Sequence, residues 1–425
     1  MTETATRRRL LERADVRALV ERLRSPGGEP LRDVTLHAVH RPEPRTLLSA
    51  WQVSFEDGAE GARPDAFVTL HQGPPWRIQR DQRHFEGRAD RTPSSGLTGY
   101  ALDGDETMVV AFPSDHRLRD LRWLCRASHV LRLVMTSGIG STRPGERFSK
   151  RRSQCTVLRY VPEQRAVLRW DLPVIDDTTG EVLRTISVHA LVDGREPTLD
   201  PRIVAASLTA AGVRCPTILA HPHAGVLLET TMPGRSWHGG GEHASALGEA
   251  VARLHGVQAP DGSVRSGVLD ELDRVLRAAR LLEASDPVLG QHAFAVADAL
   301  AKHPPRPCPP AMLHGSLRPS RFRVQDGSPG LVGLSRAVVG SAAMDLASLQ
   351  SDANWDSLDP AWVARFEQGY ASARPLPEAA PLRWFLAAAM VRTACRRGAE
   401  ATDRKVAEIC RWLDHARALA ERSSR

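Results

Sequence analysis

Four arginines, Arg318, Arg321, Arg323 and Arg336, crowd one short stretch of this sequence. A guanidinium presents a planar fork of donors that matches phosphate or carboxylate oxygens. Such a cluster suits a small anionic ligand. It equally suits a solvated surface or a set of internal ion pairs, and the residue types leave both open. A second basic group, Arg143, Arg147, Lys150, Arg151 and Arg152, lies in the Gly-rich stretch 136–153. It reads as an anion-binding loop or as a solvated linker. His221 and His223 have metal-like proximity but no third ligand, so a turn is expected there and no metal site. Gly239-Gly240-Gly241 precedes a helix start and could face a phosphate; a hinge is the expected role. Cys125, Cys155, Cys215, Cys308, Cys395 and Cys410 lie far apart with no C-x-x-C pair, which argues against a disulfide framework or zinc site.

A chain of 425 residues can supply a large core and two or three domains. Its 57 basic and 50 acidic residues give a net charge of +7, which permits an anionic partner without demanding nucleic acid. With no zinc-finger spacing and no aromatic-basic RNA signature, nucleic acid is not an expected partner. Lysine is confined to Lys150, Lys302 and Lys405. The charged N-terminus does not read as a signal peptide, and the longest apolar stretch, 385–391, is too short for a membrane span. A cytoplasmic protein with no membrane contact is expected.

The pattern predicts an amphipathic helix over 9–24, with Val16, Leu19, Val20 and Leu23 on one face. Three strand-like runs follow (VTLHAVH, TLLSAWQVSF and AFVTLH), then a polar loop over about 77–95, a strand from Met108 to Phe112 and a helix over about 118–135. A second strand set starts at Cys155 with TVLRYV, RAVLRWDL and TISVHALV. The helix PRIVAASLTAAG and the strand GVLLETTMPG come next, and from about 243 the chain reads as mostly helical.

Residues 311–347 read AMLHGSLRPSRFRVQDGSPGLVGLSRAVVGSAAMDLA: a short strand into a turn, a hairpin, then a small-residue loop entering a helix. This segment resembles the catalytic segment of the aminoglycoside phosphotransferase and choline kinase family. His314, Gly315, Leu317, Pro319, Val324, Gly330, Leu331, Arg336, Ala337, Gly340, Asp345, Leu346 and Ala347 fall in register with its pattern. GVLLETTMPGRSW resembles the strand and hinge that close over adenine, and LGEAVARLHG resembles the helix that ends in Leu-His. The resemblance covers roughly 150–420. It implies an α+β, two-lobed protein-kinase-like fold with a small antiparallel-sheet N-lobe at 151–235 and a helical C-lobe at 236–425. Residues 1–150 form an N-terminal extension. There, Pro42, Glu43, Arg45, Leu48 and Val68 recur 120 residues on as Pro162, Glu163, Arg165, Leu168 and Val188. The recurrence is either chance or a degenerate second copy of the N-lobe sheet.

Phosphoryl transfer needs an Asp base, Asn and Asp ligands for magnesium, and a strand Lys held by a helix Glu. The resemblance places Ser316 at the base, Arg321 at the Asn, Gly333 at the magnesium Asp and Ser335 at the other acidic position. The lysine would fall near His189 or Ala190 and is absent; the following helix has no acidic residue. His314 and Asp345 are expected to be structural. Arg318, Arg321, Arg336, Glu229 and His189 are ligand-binding candidates. The expected function is therefore that of a catalytically degenerate homologue, binding a small anionic ligand or a partner protein, such as a related active kinase, without a cofactor. The alternative is an ATP- and magnesium-dependent phosphotransferase acting on a small hydroxylated molecule or a Ser/Thr peptide through a non-standard site.

Overall fold

The computed structural model describes residues 11–24, 30–43, 45–55, 66–86, 97, 99–138, 142–222, 225–237, 241–260, 263, 265–359, 361–397 and 403–423. His223, Gly239 and Gly240 lie outside these residues. The chain divides into two compact units, Met1–Glu196 with Leu219–Thr230, and Pro197–Ile218 with Thr231–Arg425.

The first unit opens with α1 (Arg13–Glu21), then β1 (Leu31–Glu43), β2 (Thr46–Phe55) and β3 (Ala66–Gln72). Helix α2 (Pro75–Glu86), β4 (Tyr100–Asp103) and β5 (Thr107–Ala111) complete a five-stranded sheet of order β1-β2-β3-β5-β4. Strand β3 is buried at every residue, because both faces of this sheet are covered. On one face Val16, Leu19 and Val20 of α1 pack with Trp51, Val68, Leu70 and Val109. On the other, Ile78 and Phe85 of α2 pack with Met108 and Val110.

Helix α2 corrects the expectation of a loop over 77–95, whose remainder at 87–96 lies outside the described residues. Pro75 stands at the first helical position, where a missing N–H costs nothing. The apolar periodicity is hidden because Arg77 and Asp81 are buried alongside Ile78 and Phe85. The helix expected over 118–135 is two helices, α3 (Leu121–Leu124) and α4 (Ala127–Thr136), with Arg126 extended between them. The break frees the Leu124 carbonyl, which accepts from Trp170 Nε1 at 2.9 Å.

The second sheet follows: β6 (Glu146–Phe148), β7 (Gln154–Val161), β8 (Arg165–Asp176) and β9 (Val182–Asp193). After α5 (Pro201–Ala210), which belongs to the second unit, come β10 (Ile218–Ala220) and β11 (Val226–Thr230). Its order is β7-β8-β9-β11-β10, with β6 sharing the β7 edge of β8. This is the order of the first sheet, with a helix again between the third and fourth strands. The cross-strand rows agree. Leu48–His71–Met108 in the first sheet corresponds to Leu168–Ala190–Leu228 in the second. The third strands stand one residue out of step with the 120-residue spacing, so His71 matches Ala190 and the expected match of Val68 with Val188 fails. The recurrence in the sequence thus coincides with a repeated topology.

The second unit continues with β12 (Arg235–Ser236), α6 (Ala244–Gly256), α7 (Val268–Ser285) and α8 (Pro287–Lys302). Then come β13 (Pro310–Leu313), β14 (Phe322–Gln325), β15 (Ser328–Leu331), β16 (Val338–Ser341) and α9 (Ala342–Trp355). Helices α10 (Ala361–Ala373), α11 (Ala379–Arg397) and α12 (Asp403–Glu421) finish the chain. Asp200 caps α5 through the Arg202 amide with Pro201 behind it, and Ser341 caps α9 through the Ala343 amide. Helix α9 is buried on most sides, between a core with α7, α8, α11 and α12 and another with α5, α6 and α10. Among the described residues no helix is long and apolar enough to cross a membrane.

Candidate functional site

Strands β13 and β16 pair antiparallel, from Pro310 opposite Ser341 to Leu313 opposite Val338. The chain leaves β13 at His314 and turns sharply. Gly315 adopts φ +72°, and a Cβ there would collide with the Arg336 carbonyl. Only glycine lets these two backbones approach so closely. Asp345, in the first turn of α9, holds the turn from beneath. Its Oδ2 accepts from the His314 amide at 2.6 Å and its Oδ1 from the Gly315 amide at 3.1 Å. His255 Nε2 lies 3.4 Å from the same carboxylate, and its Nδ1 lies 2.9 Å from the Tyr370 hydroxyl. Burial alone would raise the Asp345 carboxyl, but His255, His314 and the turn amide hold it below its usual value. His314 is fully buried, with Nε2 3.0 Å from the Val332 carbonyl; burial pushes its imidazole down to about 4.

Beyond this turn, Ser316 Oγ is buried with no hydrogen-bond partner among the described residues. Arg318 Nε lies 3.7 Å from Asp352, a carboxylate that Arg396 and Thr393 also engage. Arg321 ends a short 3-10 turn, Pro319–Arg321, and runs back over Gly333. Gly333 has φ +83°, and a Cβ there would stand 2.7 Å from Arg321 Nη1. The guanidinium thus fills the space where any side chain at position 333 would begin. Arg323 reaches the Phe322 carbonyl at 3.2 Å. Ser335 and Arg336 lie in the 3-10 turn Leu334–Arg336, Ser335 buried and Arg336 half-buried. The local fold thus brings Arg321 onto Gly333 and the turn at Gly315 against Arg336.

His189 and Glu229 belong to the other unit. They are cross-strand neighbours on β9 and β11, with Nδ1 4.0 Å from Oε1. The row Thr156–Arg169–His189–Glu229 crosses one face of the second sheet. Ala190 points the other way, into a core with Leu168, Val188 and Leu228. In the first sheet the row equivalent to Arg169–His189–Glu229 is Ser49–Leu70–Val109, the face that α1 covers.

A polar cluster that the sequence reading missed lies within the first unit. Arg77 is wholly buried, with Nε 3.1 Å from Asp81, Nη2 2.6 Å from Glu163 and Nη1 3.1 Å from Glu43. Glu43 and Glu163, which stand 120 residues apart, both contact this one guanidinium. His71 Nδ1 approaches Asp81 at 3.1 Å. His71, Asp81 and Glu163 could offer metal-ligand atoms within 4.8 Å of one another. Arg77 already pairs with both carboxylates, and its fixed charge opposes a cation there. The signal that could have located this cluster is the recurrence of Pro-Glu at 42–43 and 162–163.

The model of the phosphotransferase enzyme family matches residues 146–385. The chain belongs to that family. No curated protein matches it in sequence. Among solved structures it is similar to an amicoumacin kinase in complex with AMP-PNP, Ca2+ and amicoumacin: 14% identity, 62% of this chain, 88% of that chain, TM-score 0.48. The ethanolamine kinase of Plasmodium vivax gives 10% identity, 68% of this chain, 88% of that one and 0.45. The macrolide 2'-phosphotransferase of Brachybacterium faecium gives 16% identity, 72% of this chain, 98% of that one and 0.41.

The family implies a divalent ion held by oxygen ligands. At the two positions that the sequence resemblance aligns with such ligands, Arg321 carries a positive charge and Gly333 has no side chain to offer, which does not fit a cation.

Proposed function

We propose that this chain is a phosphotransferase-family protein that does not perform metal-dependent phosphoryl transfer and acts as a ligand-binding or regulatory protein. One observation carries the reading: the Arg321 guanidinium lies over Gly333 where a ligand carboxylate would have to project. An aspartate at 333 would have to displace the flexible end of Arg321, so the two positions are read together. The buried Ser316 hydroxyl, without a hydrogen-bond partner among the described residues, supports the same reading. A serine needs a neighbouring base before it can attack or accept a proton at neutral pH. Two carboxylates that contact this segment, Asp345 and Asp352, are engaged internally by backbone amides and arginines.

A guanidinium in that place is a fixed positive charge that can receive a phosphate oxygen directly. The ligand class this favours is a small phosphorylated or otherwise anionic molecule, or an acidic surface of a partner such as a related active kinase.

The test is thermal unfolding with ATP, with magnesium, and with both, together with phosphate transfer from ATP to a panel of hydroxylated small molecules and Ser/Thr peptides. Any stabilisation by ATP is expected to be the same without magnesium, and no transfer is expected. Stabilisation that requires magnesium, or turnover on any substrate, would overturn the proposal in favour of an active phosphotransferase.

A further inference from the structure

A pocket of about 510 Å3 opens in the helical unit at the end of β13 opposite His314. That is the size of a small-molecule site. Its wall is the extended chain leaving α6 from Val257 to Pro260, closed by Ala311 and Val339. Two arginines, Arg265 and Arg374, line it. No carboxylate stands among its described lining residues, and among the described residues neither arginine makes an ion pair.

Backbone contacts set where both arginines stand. Arg265 forms a parallel bridge with Val339, and the next amide, Ser266, donates to the Val339 carbonyl at 2.7 Å. Arg374 follows α10 directly, its amide donating to the Tyr370 carbonyl at 2.9 Å. Arg374 also hydrogen-bonds the Tyr370 side chain. Two guanidiniums on a concave wall whose described lining holds no carboxylate suit anionic oxygens. The pocket also communicates with the turn after β13. His255, on its wall, joins Tyr370 to Asp345, which holds the His314 and Gly315 amides.

We propose that this pocket binds a small phosphate-bearing molecule through Arg265 and Arg374, at a site separate from the Arg321 segment. The inference is independent of whether the chain transfers phosphate.

Pyrophosphate serves as the probe, with calorimetry for affinity and amide hydrogen exchange for location, on the full chain. Pyrophosphate is expected to protect the amides of Gly256 to Ala259 in the wild type and in Arg321→Gln. Protection should be lost in Arg265→Gln and Arg374→Gln, with binding at this site weakened about tenfold by each, as one charge-assisted hydrogen bond implies. Arg265 is exposed, so Arg265→Gln should keep the native circular dichroism even where Arg374→Gln loosens the fold. The proposal is overturned if these amides gain no protection, or if Arg321→Gln removes it. It is equally overturned if Arg374→Gln lowers Tm with affinity unchanged, since the arginine would then merely offset the C-terminal ends of α6 and α10.

Discussion

At Gly333 the absent side chain and the length of Arg321 belong together. The left-handed backbone at 333 would strain an alanine by about 1–2 kcal/mol whatever stands at 321. The new methyl group would also displace Arg321. A double-mutant cycle of Gly333→Ala and Arg321→Ala in urea is therefore expected to show coupling of at least about 0.5 kcal/mol, with Gly333→Ala costing less once Arg321 is gone. Strict additivity would mean that the two residues do not share the space. His314 makes a second prediction. Its imidazole titrates near 6.5 when unfolded and is pushed down to about 4 by burial in the fold. Between these values the unfolded chain binds the extra proton. This residue's contribution is therefore complete above pH 6.5 and is lost as pH falls to 4, by on the order of 3 kcal/mol. His40, also lowered to about 4 by burial and nearby arginines, adds in the same direction. Urea midpoints measured from pH 7 to pH 4 should fall, and more shallowly in a folded His314→Gln variant. Of the four arginines in the segment, the sequence left surface and internal roles open. For Arg318 the answer lies in Asp352 on α9, which no local pattern announces.

At the scale of elements, the buried face of α2 is the feature that polarity concealed. Arg77 joins α2 to Glu43 and Glu163, and its removal would leave Asp81 and Glu163 charged and buried. Arg77→Leu is expected to cost about 3–5 kcal/mol in chemical denaturation. The two glutamates should not behave alike. Glu163 is almost wholly buried whereas the Glu43 side chain is 41% exposed. Glu43→Gln should therefore cost no more than about 1 kcal/mol, and Glu163→Gln distinctly more. Equal effects would show that the network does not depend on burial. The strands themselves were legible, because alternation and β-branched residues report on a pleated surface directly. Helix α2 was not, because paired charges inside a core read like charges in water.

At the scale of the whole molecule, the first unit holds two sheets of one strand order that differ in what covers them. Helix α1 seals one face of the first sheet, while the second presents Arg169, His189 and Glu229 on the corresponding face. The sheets also share a core. Ala50 and Phe67 of the first pack with Tyr160, Leu168 and Val188 of the second. Deleting residues 1–111 would bare this apolar surface, so the shortened chain is expected to be insoluble or to bind hydrophobic dyes strongly. A soluble, cooperatively melting product would mean that the second sheet stands without the first.

The sequence alone determined the turn-and-strand framework from His314 to Ala347, because its residues are close in the chain and each backbone choice there is local. The family resemblance followed from that same segment. Only the tertiary structure decided where the charges point. Arg77 meets glutamates 34 and 86 residues away, and Arg321 folds back over Gly333. Such meetings are set by how elements pack, and charge pairing between distant residues leaves no periodic trace along a chain.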